Sequence, residues 1–465
     1  MRIAVVLALF LVLLPALACL FEIENSDLDS TCSSDITSYQ LDTYYALRPP
    51  KIKIKSAKEF DRIRVRNVTY PTPREFVVFD RITRENELVE IEFLKGSKTY
   101  RKIRIQKLPK EFPKMKVQGE ASPGYFVMAA MRVNGSKSFA LVLDQKGNIV
   151  FFRAYSDIVC DFQKQGSKYF VSRVEKMVRV SMLGYLDVYS DLLKQEGKIE
   201  KQNVKTDWGS LPVDLHDFIY LNDNHYFYIR NYPAHDLFWG CVLQNEIVEY
   251  KDGVEKVIFS SQPFLSYKEI DHVRWPIFLL IQCHSYFHLN SMQYLGMRRF
   301  LLSSRSKNEI YLWSDLSPIQ GWVLGARSEG LSPDLVVRDW LGQHTPDYSR
   351  EAQQIVMFDN GKDAKPGLWS HRSESSSIVT VDLDQNLNPV RSKRILRLSG
   401  HTADTMGSTQ WFDKDTVTIG AGHSVIPKKF DLKELSLNPL KVTFNLVFLD
   451  KHVMVYRVRK IKSLD

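Results

Sequence analysis

One pattern governs most of this chain: an apolar run, a tight polar turn and a second apolar run, repeated from about residue 124 to the C-terminus. The segments "ALVLDQKGNIVFFRAY", "HDFIYLNDNHYFYIRNY", "HLNSMQYLGMRRFLLSSR", "QHTPDYSREAQQIVMFDNG", "GSTQWFDKDTVTIGAG" and "VTFNLVFLDKHVMVYRVR" each read as strand, turn, strand. Such hairpins cannot bury both faces alone, so they must stack on one another. They recur about 55 to 75 residues apart, the size of one four-stranded blade of a propeller. Helical periodicity is scarce, with "YLDVYSDLLKQEGK" and residues 332–341 as the only candidates. The expected architecture is all-β: a six-bladed β-propeller over residues 124–465, with a β-sandwich pair or a β-helix as weaker solutions.

The first part of the chain has a different rhythm. Residues 1–18 combine Arg2 with an apolar stretch and end in Ala16-Leu17-Ala18, the form of an export signal peptide. Cys19 follows directly, so two endings stay open: a soluble exported protein, or membrane attachment through an acylated Cys19. Residues 19–48 read as a polar, flexible lead. From 49 to 110 come short alternating runs such as "KIKIKSA", "RIRVRNVTY" and "LVEIEFLKG", which predict a small N-terminal β-sandwich domain. The proline-bearing stretch 111–123 reads as a linker.

Charge excludes one large class of function. Lys and Arg number 63 against 54 Asp and Glu, a surplus of +9, but the basic residues are scattered rather than clustered. Nucleic acid is therefore not an expected partner, whereas anionic small molecules suit such a surface. The 5 cysteines show no C-x-x-C and no metal-ligand spacing. Paired disulfides and buried free thiols at Cys160, Cys241 and Cys283 both remain open. "GAGHSV" lacks the lysine of a phosphate loop, and no G-x-S-x-G nucleophile turn occurs.

Polar residues do recur at one place in the repeat. His216 in "DLHDFIYL", His288 in "FHLNSMQYL" and His344 in "GQHTP" each stand at or just before the first strand of a hairpin. In a propeller these positions converge from separate blades on one end of the axial channel. Asn290 lies two residues beyond His288, and Arg305 closes the strand that returns toward it. Imidazoles, an amide and a guanidinium with no carboxylate among them suit a tetrahedral oxyanion better than a metal cation. A neutral histidine in that company can act as nucleophile.

Taken in order, "LHDF" at 215–218, "HLN" at 288–290, "SSR" at 303–305, "QHT" at 343–345 and "FDNG" at 358–361 resemble the bacterial arylsulfotransferase family, the aryl sulfate sulfotransferases that need no adenylyl sulfate donor. The resemblance implies a periplasmic six-bladed propeller without cofactor or metal, which moves a sulfuryl group from a phenolic sulfate to a phenol by a ping-pong route. Its catalytic residues would be His344, carrying sulfohistidine, His288, Asn290 and Arg305, binding the sulfuryl oxygens, and His216, serving the leaving phenolate. Tyr286, Phe287, Trp340 and Tyr348 would cradle the aryl ring, and a homodimer is left open. Two other functions stay in view: a non-catalytic exported propeller that binds a ligand or partner, and a metal-dependent propeller hydrolase or oxidoreductase.

Overall fold

The computed structural model describes strands at 21–24, 42–46, 51–54, 62–65, 68–71 and 75–77, and then residues 88–464 apart from 133–136, 179–180, 193, 200–204, 207–208, 211–212, 237–239, 265–284, 317–321, 326–339, 362–374 and 425–429. Packing divides the chain into two units. One comprises Met1–Phe112 with Asn148–Val150 and Leu464–Asp465, the other Pro113–Gly147 with Phe151–Ser463.

The first unit carries two sheets. Asp42–Ala46, Lys98–Lys107, Leu88–Lys95, Arg62–Val65 and Val68–Pro71 form the larger in that spatial order, and Phe21–Glu24, Lys51–Ile54 and Glu75–Val77 the smaller. The flexible lead expected over 19–48 is corrected here, because it supplies a strand to each sheet. "FEIE" pairs antiparallel with Lys51–Ile54, and "DTYYA" runs parallel to the strand ending at Lys107. Residues 1–18, the expected signal peptide, and Cys19 lie outside the described residues.

The second unit is a six-bladed β-propeller. Its blades, innermost strand first, begin at Val458, Ile158, Val213, Leu289, His344 and Ser408, and each runs outward as an antiparallel meander. The first blade is closed by both ends of the unit, since Val458–Ile461 pairs with Tyr125–Arg132. The inner strands contact one another in sequence, and the strand at Ser408 contacts that at Val458, so the ring shuts. Two expectations are revised. Residues 111–123 are not merely a linker: Met115–Gly119 pairs with Phe444–Phe448 as a fifth, outermost strand of the last blade. "YLDVYSDLLKQEGK" is not a helix either, for it falls in the strands Ser181–Tyr189 and Gln195–Ile199. The other helix candidate lies mostly outside the described residues.

The core sits between blades, which explains why the middle strands read as unbroken apolar runs rather than alternating ones. Along "RFLLSS", Phe300 and Leu302 pack back against Ile229 and Ile247 of the third blade, while Leu301 packs forward with Ile355 and Met357 of the fifth. Along "QIVMFD", Val356 and Phe358 face Val417 and Ile419 of the sixth. Both faces of each sheet are thus dry, and every blade depends on two neighbours.

Polar side chains stitch the inner strands together where backbone ladders do not reach. Gln165 accepts from the Tyr220 amide at 2.7 Å and donates to the Phe218 carbonyl at 2.7 Å. Gln293 does the same with both backbone groups of Tyr348, and Gln410 with both of Lys460. At the alternate junctions Asp217 accepts from the Met292 amide at 2.9 Å and Asp347 from the Trp411 amide at 2.7 Å. Glutamine mimics a peptide unit, so it bridges two strands without leaving a buried group unpaired.

Candidate active site

His216, His288, Arg305 and His344 meet at one end of the inner strands, and all are buried, with relative exposures of 4, 6, 7 and 2%. The Nε2 atoms of His216 and His288 stand 3.3 Å apart, with ring centroids 5.1 Å apart and the rings nearly perpendicular. Strand pairing returns Arg305 to His288, its amide donating to the His288 carbonyl at 3.0 Å. The Arg305 Nη2 donates to the Asp404 carbonyl at 2.7 Å, which ties the fourth blade to the loop entering the sixth.

Serines build this corner. Ser304 Oγ donates to the Phe287 carbonyl and Ser306 Oγ to that of Ser285 at 3.0 Å, so "SSRS" at 303–306 holds the chain just ahead of His288. His288 itself has φ +52° and Thr345 has φ +42°. A β-branched residue in the left-handed region carries strain of about 1–3 kcal/mol. Thr345 is held there by the sixth blade: its Oγ1 accepts from the Thr409 amide at 3.0 Å, and its carbonyl accepts from Thr409 Oγ1 at 3.0 Å. Gly407 lies beside this contact with φ +99°, where a Cβ would stand 2.6 Å from the Phe358 ring, so only glycine fits.

The proton on His344 can be placed from its neighbours. Its Nδ1 lies 2.9 Å from Asn360 Oδ1 and 3.1 Å from the Gly342 carbonyl. Asn360 cannot present its NH2 there, because Nδ2 donates to the Ala403 and Met406 carbonyls, both at 3.0 Å. With acceptors on that side alone, Nδ1 carries the hydrogen and Nε2 keeps the lone pair. Burial holds His344 well below the usual imidazole range, and the Arg305 charge pushes the same way. His288 is held low by burial, then by His216, Arg305 and His344. Both rings are therefore neutral at neutral pH.

Asn290 is anchored by a contact that the sequence did not suggest. Its Nδ2 donates to the Gln343 carbonyl at 2.7 Å, one residue before His344, and the side chain is fully buried. Gln343 in turn donates to Ser303 Oγ at 3.2 Å and to the carbonyls of Ser304 and Glu309. Asn290 thus links the "HLN" and "QHT" corners and sets the height of His344. Of the candidate ring cradle, Phe287 and Trp340 are core residues, Trp340 donating its indole N–H to the Asn308 carbonyl at 3.1 Å. The Tyr286 hydroxyl bonds to Ser261, and Tyr348 packs partly against the core between the fourth and fifth blades.

Three residues near the histidines were not singled out in the sequence. Asn360 stood inside "FDNG", one of the ordered motifs, without a role of its own. Asp214 lies two residues before His216, its Oδ1 at 2.5 Å from His216 Nδ1. Arg457, from the closing strand, donates to the His216 carbonyl at 2.9 Å and pairs with Asp217 at 2.9 Å and Asp161 at 3.3 Å. Cys160 is a free, buried thiol, raised well above its usual range by burial, and the other four cysteine side chains lie outside the described residues. Among the described residues no three His, Cys, Asp or Glu side chains gather in an arrangement that would hold a metal ion, and no helix is long and apolar enough to cross a membrane.

In sequence the chain matches no family model and no curated protein. Solved structures similar to it are a periplasmic gluconolactonase from Pseudomonas aeruginosa, at 10% identity and TM-score 0.41 over 72% of this chain and 99% of that one, and a putative 6-phosphogluconolactonase from Bacteroides uniformis, at 8% identity and TM-score 0.37 over 80% and 95%. A protein of unknown function from Bacteroides caccae is similar at 10% identity and TM-score 0.39, over 74% of this chain and all of the other.

Proposed function

We propose that this propeller is an aryl sulfate sulfotransferase of the arylsulfotransferase type, exported to the periplasm, with His344 as the nucleophile. The observation that carries the reading is the state of His344: a buried neutral imidazole, with Nδ1 tied to Asn360 and its Nε2 lone pair available, in the company of Arg305, His288 and His216.

The chemistry follows from those groups. The Nε2 lone pair of His344 attacks sulfur, the bond from sulfur to the aryl oxygen breaks, and the phenolate leaves with its electron pair. The Arg305 charge and an N–H of His288 stabilise the sulfuryl oxygens as negative charge shifts onto them. His216, holding one hydrogen on Nδ1 against Asp214 and a second on Nε2 in the donor complex, gives the Nε2 proton to the leaving phenolate. In the second half the acceptor phenol returns a proton to His216 Nε2, its oxygen attacks sulfur, and the bond from sulfur to nitrogen breaks back to His344. A phenolate is a far better leaving group than an alkoxide, which favours aryl over alkyl sulfates.

The test is incubation of the purified mature chain with a chromogenic aryl sulfate, in the presence of chelator, with and without phenol, followed by intact mass. The expected result is an adduct of one sulfuryl group on His344 that the phenol discharges, and loss of both turnover and adduct in His344→Ala while the protein stays folded. Failure to release phenol or form an adduct with several donors would overturn the reading.

A further inference from the structure

In the pair His216 and His288 two ring nitrogens of the site face each other at 3.3 Å, and something must decide which of them carries the proton. The answer lies in a line of buried polar side chains across the third blade. Asp214 is fully buried at the start of the inner strand, and its Oδ1 accepts from the His216 amide at 2.9 Å and lies 2.5 Å from His216 Nδ1. Its Oδ2 accepts from Asn231 Nδ2 on the second strand. Asn231 Oδ1 accepts from Asn245 Nδ2 on the third strand, directly opposite it in the ladder.

The line has a fixed direction. Asn245 Oδ1 accepts from the backbone amide of Leu289 at 3.2 Å, and that amide cannot reverse. Asn245 must therefore present its NH2 to Asn231, Asn231 must present its NH2 to Asp214, and both oxygens of Asp214 act as acceptors only. Leu289 is the residue immediately after His288, so the chain starts at one histidine and ends on the other. Among the described residues the other hydrogen bonds to His216, from the Tyr456 hydroxyl at 3.2 Å and Arg457 at 2.9 Å, both go to its carbonyl and leave the ring to Asp214 and His288.

We infer that Asp214 is a positioning residue for sulfuryl transfer: with Asn231 and Asn245 it keeps the hydrogen of His216 on Nδ1, so that Nε2 alone exchanges protons with the phenolic oxygen and with His288. Its part in transfer rests on the function proposed above, whereas the placement of the hydrogen does not. Asp214 touches no substrate and acts only through the ring. Replacing it by asparagine puts an NH2 against either Nδ1 or Asn231, and the backbone anchor at Leu289 prevents the line from turning round to accommodate it.

Two measurements test this. Nitrogen-15 NMR of histidine-labelled protein, with His216 assigned by loss of its signal in His216→Gln, should find the hydrogen on Nδ1 in the wild type and a shift toward Nε2 in Asp214→Asn. A wild-type His216 protonated on Nε2 with a bare Nδ1, or an unchanged ring in Asp214→Asn, overturns the inference, and the wild-type spectrum decides even where the variant fails to fold. Steady-state rates with a series of aryl sulfates provide the second readout. Asp214→Asn should lose about 10²–10⁴-fold in kcat with poor leaving phenols and far less with nitrophenols, because only the former need the proton. An equal loss across the series would mark a purely structural role and overturn it. Absence of transfer by the wild type would overturn the proposed function instead, leaving the NMR result to decide the role of Asp214 in setting the ring.

Discussion

At the scale of the residue, the site depends on amides that fix imidazoles more than on the imidazoles themselves. Asn360 has no freedom to rotate its amide, since two backbone carbonyls claim its NH2. Asn360→Leu keeps the volume but removes the shorter of the two acceptors at Nδ1 and leaves only the Gly342 carbonyl at 3.1 Å, so the preference for a hydrogen on Nδ1 weakens and His344 can place it on Nε2 and lose its nucleophile. The expected outcome is a fall of up to about 10⁴ in the rate of sulfuryl loading, the scale seen when a catalytic histidine is left in the wrong tautomer, with the protein still folded by circular dichroism. A rate within a few-fold of wild type would remove Asn360 from the account. Because burial and Arg305 hold His344 well below the usual imidazole range, single-turnover loading should stay flat as pH falls through about 6.5, where an exposed histidine would begin to protonate. The histidines were legible in the sequence because each stands at or near the start of an inner strand, so their position in the repeat marked them. Asn360, Asp214 and Asn231 were not, since their roles depend on partners across a hairpin or a blade boundary, which no local pattern reveals. Trp340 fails the other way: an aromatic close to a site motif in sequence is here a core residue.

The element that matters most is the inner strand, which must carry the site and also hold the ring without a continuous backbone ladder to its neighbour. Asp347 shows the cost. It accepts from the Trp411 amide on one side and from Gln293 on the other, at 2.7 and 3.1 Å, yet burial pushes its carboxyl up to about 6, against an ordinary 3.8, and the nearby Asp217 adds to the rise. A raised folded-state value means that this group contributes stability below pH 3.8 that is lost as pH rises through about 6. The comparison with Asp347→Asn isolates it, because asparagine does not titrate. The margin of wild type over the variant in urea unfolding should be larger at about pH 4.5 than at about pH 7.5, by about 2 kcal/mol. An equal margin at both would mean that the carboxyl titrates normally. Elements were also where the sequence misled: "FEIE", "DTYYA" and "MKVQG" are short strands whose partners lie far along the chain, so polar composition and nearby prolines made them look like lead and linker.

For the propeller as a whole, closure is the decisive step, and it falls to the last strand. The recurrence of hairpins made six blades legible, since each apolar sheet has two faces to cover and only a ring covers them all. What joins the ring was hidden in a single lysine near the C-terminus. Lys460, pairing with Phe126 across the closing strand, places its Nζ against Glu434 of the sixth blade and the Ser122 carbonyl at 2.7 Å. Neither charged side chain has more than 1% exposure, and burial lowers the lysine below its usual range while Glu434 works against the shift. Lys460→Met leaves the Glu434 carboxylate in the dry interior with only Ser122 and Thr443 to bond it. The expected loss is about 3–5 kcal/mol in urea unfolding, the usual effect of breaking one side of a buried pair. The double variant Lys460→Met/Glu434→Leu should recover most of it, because two apolar residues of similar size replace the pair without leaving a charge behind. If the double variant is no better than the single, the pair does more than compensate its own burial, and the closure of the ring depends on the charge itself.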